Sequence, residues 1–394
     1  MSSMTSYAPS ASDKFAFGVW CVMNQGRDPF GDATRKPIDA LKAVRGLAKR
    51  GAWGFEFHDN DIFPIGASAA RIRRTMTELK KIMRDTGICC CSGTTNLFYH
   101  PVFKDGAFTS NDPKIRAYAV QKVMNAIDLA AELGAQNFLF WGGREGAEVD
   151  LAKDPVTSAK RFRDALNFLC AYVRQNRYAM TFTIEPKPNE PRGDMYLPSV
   201  GNALAFIATL DKANQQMVGV NPEVAHIKMA GLNPYHEFAQ AIEAGKLFEL
   251  HLNDQKPVRY DQDLAFGSAD LKECFFIVKL MVDQKFDGIK AFDCHPYRTE
   301  DEDGVWDFVE RNMRTYKILE EKVHEVKQNR AVSALLEEIQ ADDKAFDGLY
   351  RKFSPAAAKK LKGIKFDPDK LARSRRLAYE KLDQVLTELL LGVR

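Results

Sequence analysis

Short apolar runs and longer amphipathic stretches alternate along the first three quarters of the chain, and that alternation predicts its architecture. Runs rich in aromatic and β-branched residues fall at residues 15–20, 53–57, 88–92, 137–141, 181–185, 217–220, 247–252 and 289–293. Their lengths and composition suit strands rather than helices. Between them lie helical patterns. Residues 117–133 place Val120, Val123, Met124, Ile127 and Ala131 along one stripe, and Gly134 stops the helix. Residues 155–176 and 270–284 read likewise. Eight strand–helix alternations by about residue 325 predict an α/β fold, a closed (β/α)8 TIM barrel rather than an open sheet. A doubly wound sheet would want a glycine-rich turn after its first strand. The run Gly142-Gly143-Arg144-Glu145-Gly146 follows the fourth and lacks dinucleotide spacing.

Beyond about residue 321 the strands stop. Residues 332–339 and 371–391 read as helices, set among Pro355, Gly363 and Pro368. The expected division is a barrel catalytic domain over residues 1–320 and a C-terminal helical tail over residues 321–394. Such a tail cannot bury its apolar stripes alone, so it is expected to wrap the barrel or, in preference, a neighbouring subunit. Its basic residues (Lys359, Lys360, Lys362, Lys365, Lys370, Arg373, Arg375, Arg376) are interleaved with Asp367, Asp369 and Glu380, which favours a solvated or subunit-facing helix over a nucleic-acid surface.

Composition narrows the picture little. Across 394 residues, 56 basic against 53 acidic side chains give a net charge of +3, so the expected partners include neither nucleic acid nor membrane. No run of eighteen apolar residues occurs, and Met1-Ser2-Ser3 opens no basic-then-apolar leader, so a cytoplasmic location is expected. Seven cysteines, three of them the consecutive Cys89, Cys90 and Cys91, suit reduced packing residues better than a disulfide framework.

Chemistry in a barrel collects at the C-terminal ends of its strands. The residues expected there are Trp20, His58, Trp141, Glu185, Glu223, His251 and Asp293. Glu185 ends a strand and enters Pro186-Lys187-Pro188-Asn189-Glu190-Pro191, whose prolines hold Glu185 and Lys187 in place. Glu223 and His226 sit three residues apart, and Asp261 and Asp263 share one side of an extended segment. Each of these alone fits a structural ion pair as well. Together they are the inventory of a hard-cation site, because clustered carboxylates repel unless a cation compensates. Asp61 lies three residues after His58 and can fix its tautomer, leaving the other nitrogen for proton transfer. Trp20, Phe98 and Trp141 can wall the mouth, excluding water and binding the apolar face of a sugar. His100, His236 and His324 lack such partners and read as structural or exposed.

Several segments resemble the xylose isomerases of the shorter, actinobacterial type, in family order: residues 24–31 (NQGRDPFG), 57–59 (FHD), 94–98 (TTNLF), 141–146 (WGGREG), 185–191 (EPKPNEP), 219–224 (GVNPEV), 260–264 (YDQDL) and 298–301 (RTED). The resemblance runs from about Phe15 to Arg314. In the tail it extends only to length and helical character. It implies two divalent metal ions per subunit, Mn2+, Co2+ or Mg2+. Glu185, Glu223 and Asp293 would hold the substrate-binding ion, and Glu223 would bridge to a second held by His226, Asp261 and Asp263. His58 with Asp61 would open the cyclic sugar. Lys187 would bond the C1 oxygen as hydride shifts between C1 and C2. Trp141 and Phe98 would line the channel, Phe30 would reach in from a neighbouring subunit, and the assembly would be a homotetramer.

The chain also departs from the family pattern. His251 stands where the family has an aspartate ligand, His295 where a lysine is found, Ser92 replaces a methionine, and Asn60 replaces an aspartate. An imidazole can still ligate, and the lost charge is expected to favour Mn2+ or Co2+ over Mg2+. Asp254 is the candidate to replace the missing carboxylate, although three residues along a strand put it on the opposite face. The expected activity is D-xylose to D-xylulose isomerisation, with D-glucose to D-fructose beside it. Altered sugar specificity, or a silent homologue serving as a binding protein, competes with that reading. A metal-dependent DNA-repair nuclease would want more histidines and a basic face.

Overall fold

Eight parallel strands make one sheet in the computed structural model, which describes residues 7–340 and 344–393. The N-terminal Met1-Ser2-Ser3 stretch lies outside them. In chain order the strands are β1 (Phe15–Gly18), β2 (Gly54–His58), β3 (Cys89–Thr94), β4 (Asn137–Trp141), β5 (Gly146–Ala147), β6 (Thr181–Glu185), β7 (Asp194–Met195), β8 (Val218–Val220), β9 (Glu249–Leu252) and β10 (Ile289–Phe292). The barrel order is β8-β6-β4-β3-β2-β1-β10-β9, while β5 and β7 pair antiparallel in a separate ribbon that the strand pattern did not anticipate. The seam between β8 and β9 carries only two isolated bridges, Val220 to Leu247 and Glu223 to His251. Pro222 has no N–H to give a ladder there, but its carbonyl accepts from His251 N at 3.0 Å.

Alternation along the strands explains how the barrel is filled. Phe15, Phe17, Phe55, Phe57, Phe138, Phe182 and Phe292 are fully buried, and their rings form much of the packing around the sheet. Phe15 meets Tyr316 of the helix Glu302–Gln328 at 5.1 Å between centroids, and Phe182 meets Phe140 at 5.0 Å. Small residues take the alternate positions, with Ala16, Cys91, Ile289 and Ala291 in one buried cluster against Trp53. All seven cysteines are free, and burial pushes the thiols of Cys90 and Cys91 far up, so they pack rather than react.

The helices follow their signals. Pro113–Glu132 starts on an Asp112 cap and is followed by Gly134 at φ 80°. Pro155–Gln175 is capped by Asp154 and Leu271–Asp283 by Asp270. Four strands, β1, β8, β9 and β10, are shorter than their apolar runs predict. β1 ends at Gly18, and Val19–Met23 forms a short helix that turns Trp20 to the mouth. Gly18 makes room for this: a Cβ there would lie 2.2 Å from the Trp20 indole.

The chain divides into two compact units, Met1–Leu319 and Glu320–Arg394. The barrel belongs to the first. In the second, Arg330–Ile339 packs on Tyr379–Leu390, burying Val332, Leu335, Val385, Leu386 and Leu389. The single helix expected over residues 371–391 is two, Pro368–Arg373 and Tyr379–Leu390. The break follows from capping: Ser374 Oγ donates to the Leu371 carbonyl, and Arg375 turns back to the carbonyls of Glu338 and Ile339 at 2.7 and 2.6 Å. The basic helix Pro355–Gly363 buries no side chain.

Phe182→Ala leaves a hole beside Phe138 and Phe140. It is expected to cost about 3–5 kcal/mol of stability, read as an earlier urea midpoint in a denaturation series.

Candidate metal centre and sugar pocket

One cavity of about 200 Å³ opens at the C-terminal ends of the strands, lined by Trp20, His58, Thr94, Phe98, Leu139, Trp141, Glu185, Lys187, Glu223, His226, Asp261, Asp263 and Asp293. Eleven of these thirteen come from the sequence reading; Thr94 and Leu139 do not. His251 lies directly beneath, fully buried. Phe30 is 100% exposed and takes no part in the cavity of its own chain.

The donors gather into two groups that share Glu223. Glu185, Glu223, His251 and Asp293 form one and Glu223, His226 and Asp261 the other, with ligand atoms within 4.8 Å of one another in each. His251 Nδ1 lies 2.9 Å from Glu185 Oε2 and 3.3 Å from Asp293 Oδ2, yet makes no aligned hydrogen bond. His226 Nδ1 is likewise unbonded at 3.3 Å from Glu223 Oε2, while its Nε2 lies 3.2 Å from Asp261 Oδ2. Asp263 completes the mouth beside them and accepts from Asn253 Nδ2 at 3.2 Å. Buried nitrogens and carboxylates that crowd without pairing are what a cation-binding donor set looks like before the cation arrives.

Protonation tells the same story. Burial, with the Glu185 and Asp261 charges, pushes Glu223 up to about 7 against the pull of His226. Burial and the charges of Asp261, Glu223 and Asp293 push Asp263 well above the carboxylate range. Burial opposes charge on His251, but Glu56 and Glu185 outweigh it and raise the imidazole strongly. Burial would also raise Asp261, yet His226 and Lys187 hold it below its ordinary value. The cluster balances itself with protons, which a divalent cation can replace.

Aromatic and basic groups form an arc above the donors. Ring centroids run Trp20 to His58 at 4.4 Å, His58 to Phe98 at 5.6 Å and Phe98 to Trp141 at 4.6 Å. Lys187 Nζ lies 5.1 Å over Trp141 and 2.5 Å from Asp261 Oδ2. Trp20 Nε1 donates to Asp293 Oδ1 at 2.7 Å. His58 Nδ1 lies 3.0 Å from Asp61 Oδ2, which also accepts from the His58 N–H at 2.9 Å. Burial opposes the His58 charge, but Asp61 overcomes it and raises the imidazole.

A family model and a relative match most of the chain. A model of the xylose isomerase-like TIM barrel matches residues 44–308. A xylose isomerase from Thermus thermophilus is 46% identical over 388 residues, covering 98% of this chain and 100% of that protein.

The chain belongs to the xylose isomerase family.

Two solved structures share the fold at low identity. A 3-keto-D-glucoside 4-epimerase from E. coli superimposes with TM-score 0.56 at 15% identity, covering 77% of this chain and 99% of that one. An L-ribulose 3-epimerase gives 0.58 at 13%, covering 80% and 98%.

Within this xylose isomerase family barrel, sequence reasoning missed the groups that hold the donors. Asn253 Nδ2 reaches Glu223 Oε1 at 2.7 Å and the Asp293 carbonyl at 2.9 Å, and Asn221 Nδ2 donates to Glu185 Oε2 at 2.9 Å. Glu56 Oε2 lies 3.0 Å from His251 Nε2. Alternation held the signal: Asn253 is two residues from His251, and Glu56 two from His58. Asp254 faces away, as expected, taking Lys228 Nζ at 3.3 Å and the backbone N–H groups of Ala269 and Asp270. His295 is half-buried, and burial lowers it. His100 accepts from Val102 N, and His236 and His324 are exposed. Among the described residues no helix is long and apolar enough to cross a membrane.

Proposed function

We propose that the chain is a divalent-metal-dependent aldose–ketose isomerase converting D-xylose to D-xylulose, with D-glucose to D-fructose as a slower reaction. Family membership supports the coarse class, a sugar isomerase. The observation that carries the finer reading is the pair of donor groups sharing Glu223 beneath an aromatic-walled cavity that also holds His58 and Lys187.

In this reading Glu185, Glu223, His251 and Asp293 hold one ion, and Glu223, His226, Asp261 and Asp263 hold the second. Bound there, two divalent ions supply Lewis acidity for the negative charge that develops on the sugar oxygens. The protein's own groups do the rest. His58, with its Nδ1 turned to Asp61, presents Nε2 as the base that takes the ring hydroxyl proton as the cyclic sugar opens. Lys187 donates to the C1 oxygen while hydride moves between C1 and C2. Trp20, Phe98 and Trp141 cover the apolar sugar face and keep water from the reacting carbons.

His251 gives the first centre a nitrogen in place of a negative oxygen, which favours Mn2+ or Co2+ over Mg2+. Metal-stripped protein supplied separately with Mg2+, Mn2+ and Co2+ is therefore expected to form D-xylulose from D-xylose fastest with Mn2+ or Co2+. Turnover led by Mg2+ would discard the metal preference. Ion binding without turnover on any metal would instead favour a sugar-binding homologue that has lost catalysis.

Asp61 raises the proton affinity of His58, so the base becomes free only at higher pH. Asp61→Asn removes that charge, and the acid limb of the kcat/KM profile is expected to move to lower pH, with a lower rate. An unmoved limb would remove His58 from the reaction.

A homotetramer is proposed on two supports. Phe30 is fully exposed on the first unit, and the second unit exposes Tyr350 at 71%, Phe353 at 82% and Leu371 at 57%. Size exclusion with light scattering is expected to give four chains per particle; a monomer would sink the proposal.

A further inference from the structure

Beneath the cavity the barrel interior carries a polar layer where apolar packing is the norm. Glu56 of β2, Ser92 of β3, Asn137 of β4, Thr183 of β6 and Glu249 of β9 are each 3% exposed or less. They form one network: Asn137 Nδ2 donates to Glu249 Oε2 and to Thr183 Oγ1 at 2.8 Å, with Ser92 Oγ beside it at 3.4 Å. Glu56 and Glu249 lie against each other, with donor atoms within 4.8 Å. Five strands thus fix two carboxyl groups in the middle of the barrel. Burying such groups is costly and calls for a purpose.

Glu56 faces upward to His251. The contact runs from β2 to β9, which are separated by β1 and β10 in the sheet, so it spans the interior rather than a ladder. The two nitrogens of His251 therefore meet different surroundings. Nε2 has one acceptor, Glu56 Oε2, at 3.0 Å. Nδ1 faces Glu185 Oε2 at 2.9 Å, Asp293 Oδ2 at 3.3 Å and Glu223 Oε2 at 3.9 Å.

We propose that Glu56 is a positioning residue for the first metal centre: by accepting the Nε2–H of His251, it fixes the tautomer whose Nδ1 lone pair is turned into the Glu185, Glu223 and Asp293 cluster. The proposal rests on the reading of His251 as a ligand. A cation bound by the cluster would displace one proton from His251; the neutral imidazole then carries one N–H, and an ionised carboxylate can only accept. With Glu56 below, the N–H points down and the lone pair points up. Without it, the favoured alternative is an Nδ1–H donated to Glu185, which blocks ligation through that nitrogen. A carboxylate behind an imidazole also strengthens it as a donor, and this is the usual arrangement around ligating histidines. Glu249, held by Asn137, keeps Glu56 from swinging aside.

The test is calorimetric titration of metal-stripped full-length protein with Co2+, Mn2+ and Mg2+, comparing wild type, Glu56→Leu, Glu56→Gln and His251→Leu, with folding checked by circular dichroism. Glu56→Leu is expected to weaken Co2+ and Mn2+ at one of two sites by about 10–100-fold, with Mg2+ affected less. Glu56→Gln keeps an oxygen that can accept from Nε2–H and is expected to restore most of the affinity. Wild-type affinities in folded Glu56→Leu would overturn the positioning role, as would a Gln variant as weak as Leu. Loss of a whole ion from a wild-type stoichiometry of three would overturn it in another way, by making Glu56 a ligand in a buried site with Cys91 and Glu249. Unchanged Co2+ binding in His251→Leu would instead remove His251 from the centre, a failure of the underlying reading.

Discussion

Five carboxylates from four places in the chain converge on one barrel mouth, and their mutual repulsion is the constraint around which this molecule is arranged. Glu185 and Asp293 come from the ends of β6 and β10, Glu223 from the turn after β8, and Asp261 and Asp263 from the long loop after β9. Negative charges this close cannot all persist in a partly dry site without positive partners. Three are built in: His226, His251 and Lys187, each in contact with at least one of the acids. The residual imbalance appears as an upward push on the proton affinities of Glu223 and Asp263. Such a site stores electrostatic work in the fold itself, ready to be exchanged for cation binding.

That constraint explains the parts of the structure that no apolar pattern demands. Asn253 links Glu223 to Asp263, Asn221 donates to Glu185, and Trp20 gives its indole N–H to Asp293. The polar layer beneath the mouth continues the same logic downward, with Glu56 and Glu249 answering the charge on His251. The apolar work is done elsewhere, by the phenylalanines around the sheet. Because ring packing and charge compensation occupy alternate positions of the same strands, the barrel keeps its stability and its chemistry on opposite faces of one sheet.

Much of this was legible in the chain. Strand ends are where barrel chemistry collects, so Glu185, Glu223 and Asp293 announced themselves by position, and Asp261 and Asp263 by spacing. β4 and β6 match their predicted ranges because both are flanked by clear helix signals. The sequence was less informative where tertiary contacts decide. Trp20 left its strand because the mouth needed an indole, and the break at residues 374–378 depends on Arg375 reaching carbonyls 36 and 37 residues earlier. Glu56 was hidden for a different reason. A single acid inside the run Gly54-Phe55-Glu56-Phe57 reads as a tolerated exception until the fold shows which histidine it faces.

Gly18 carries one more consequence. Its backbone is ordinary, with φ −60° and ψ 131°, a conformation open to any residue. A torsion-based survey of the chain would therefore score the position as free, and yet the indole of Trp20 occupies the volume a side chain would need. Relatives that keep a tryptophan two residues on should keep glycine here, whereas a larger residue should appear only together with a smaller side chain at the neighbouring position. The two sites form one steric unit, and their joint variation across the family would record how wide each member holds its entrance.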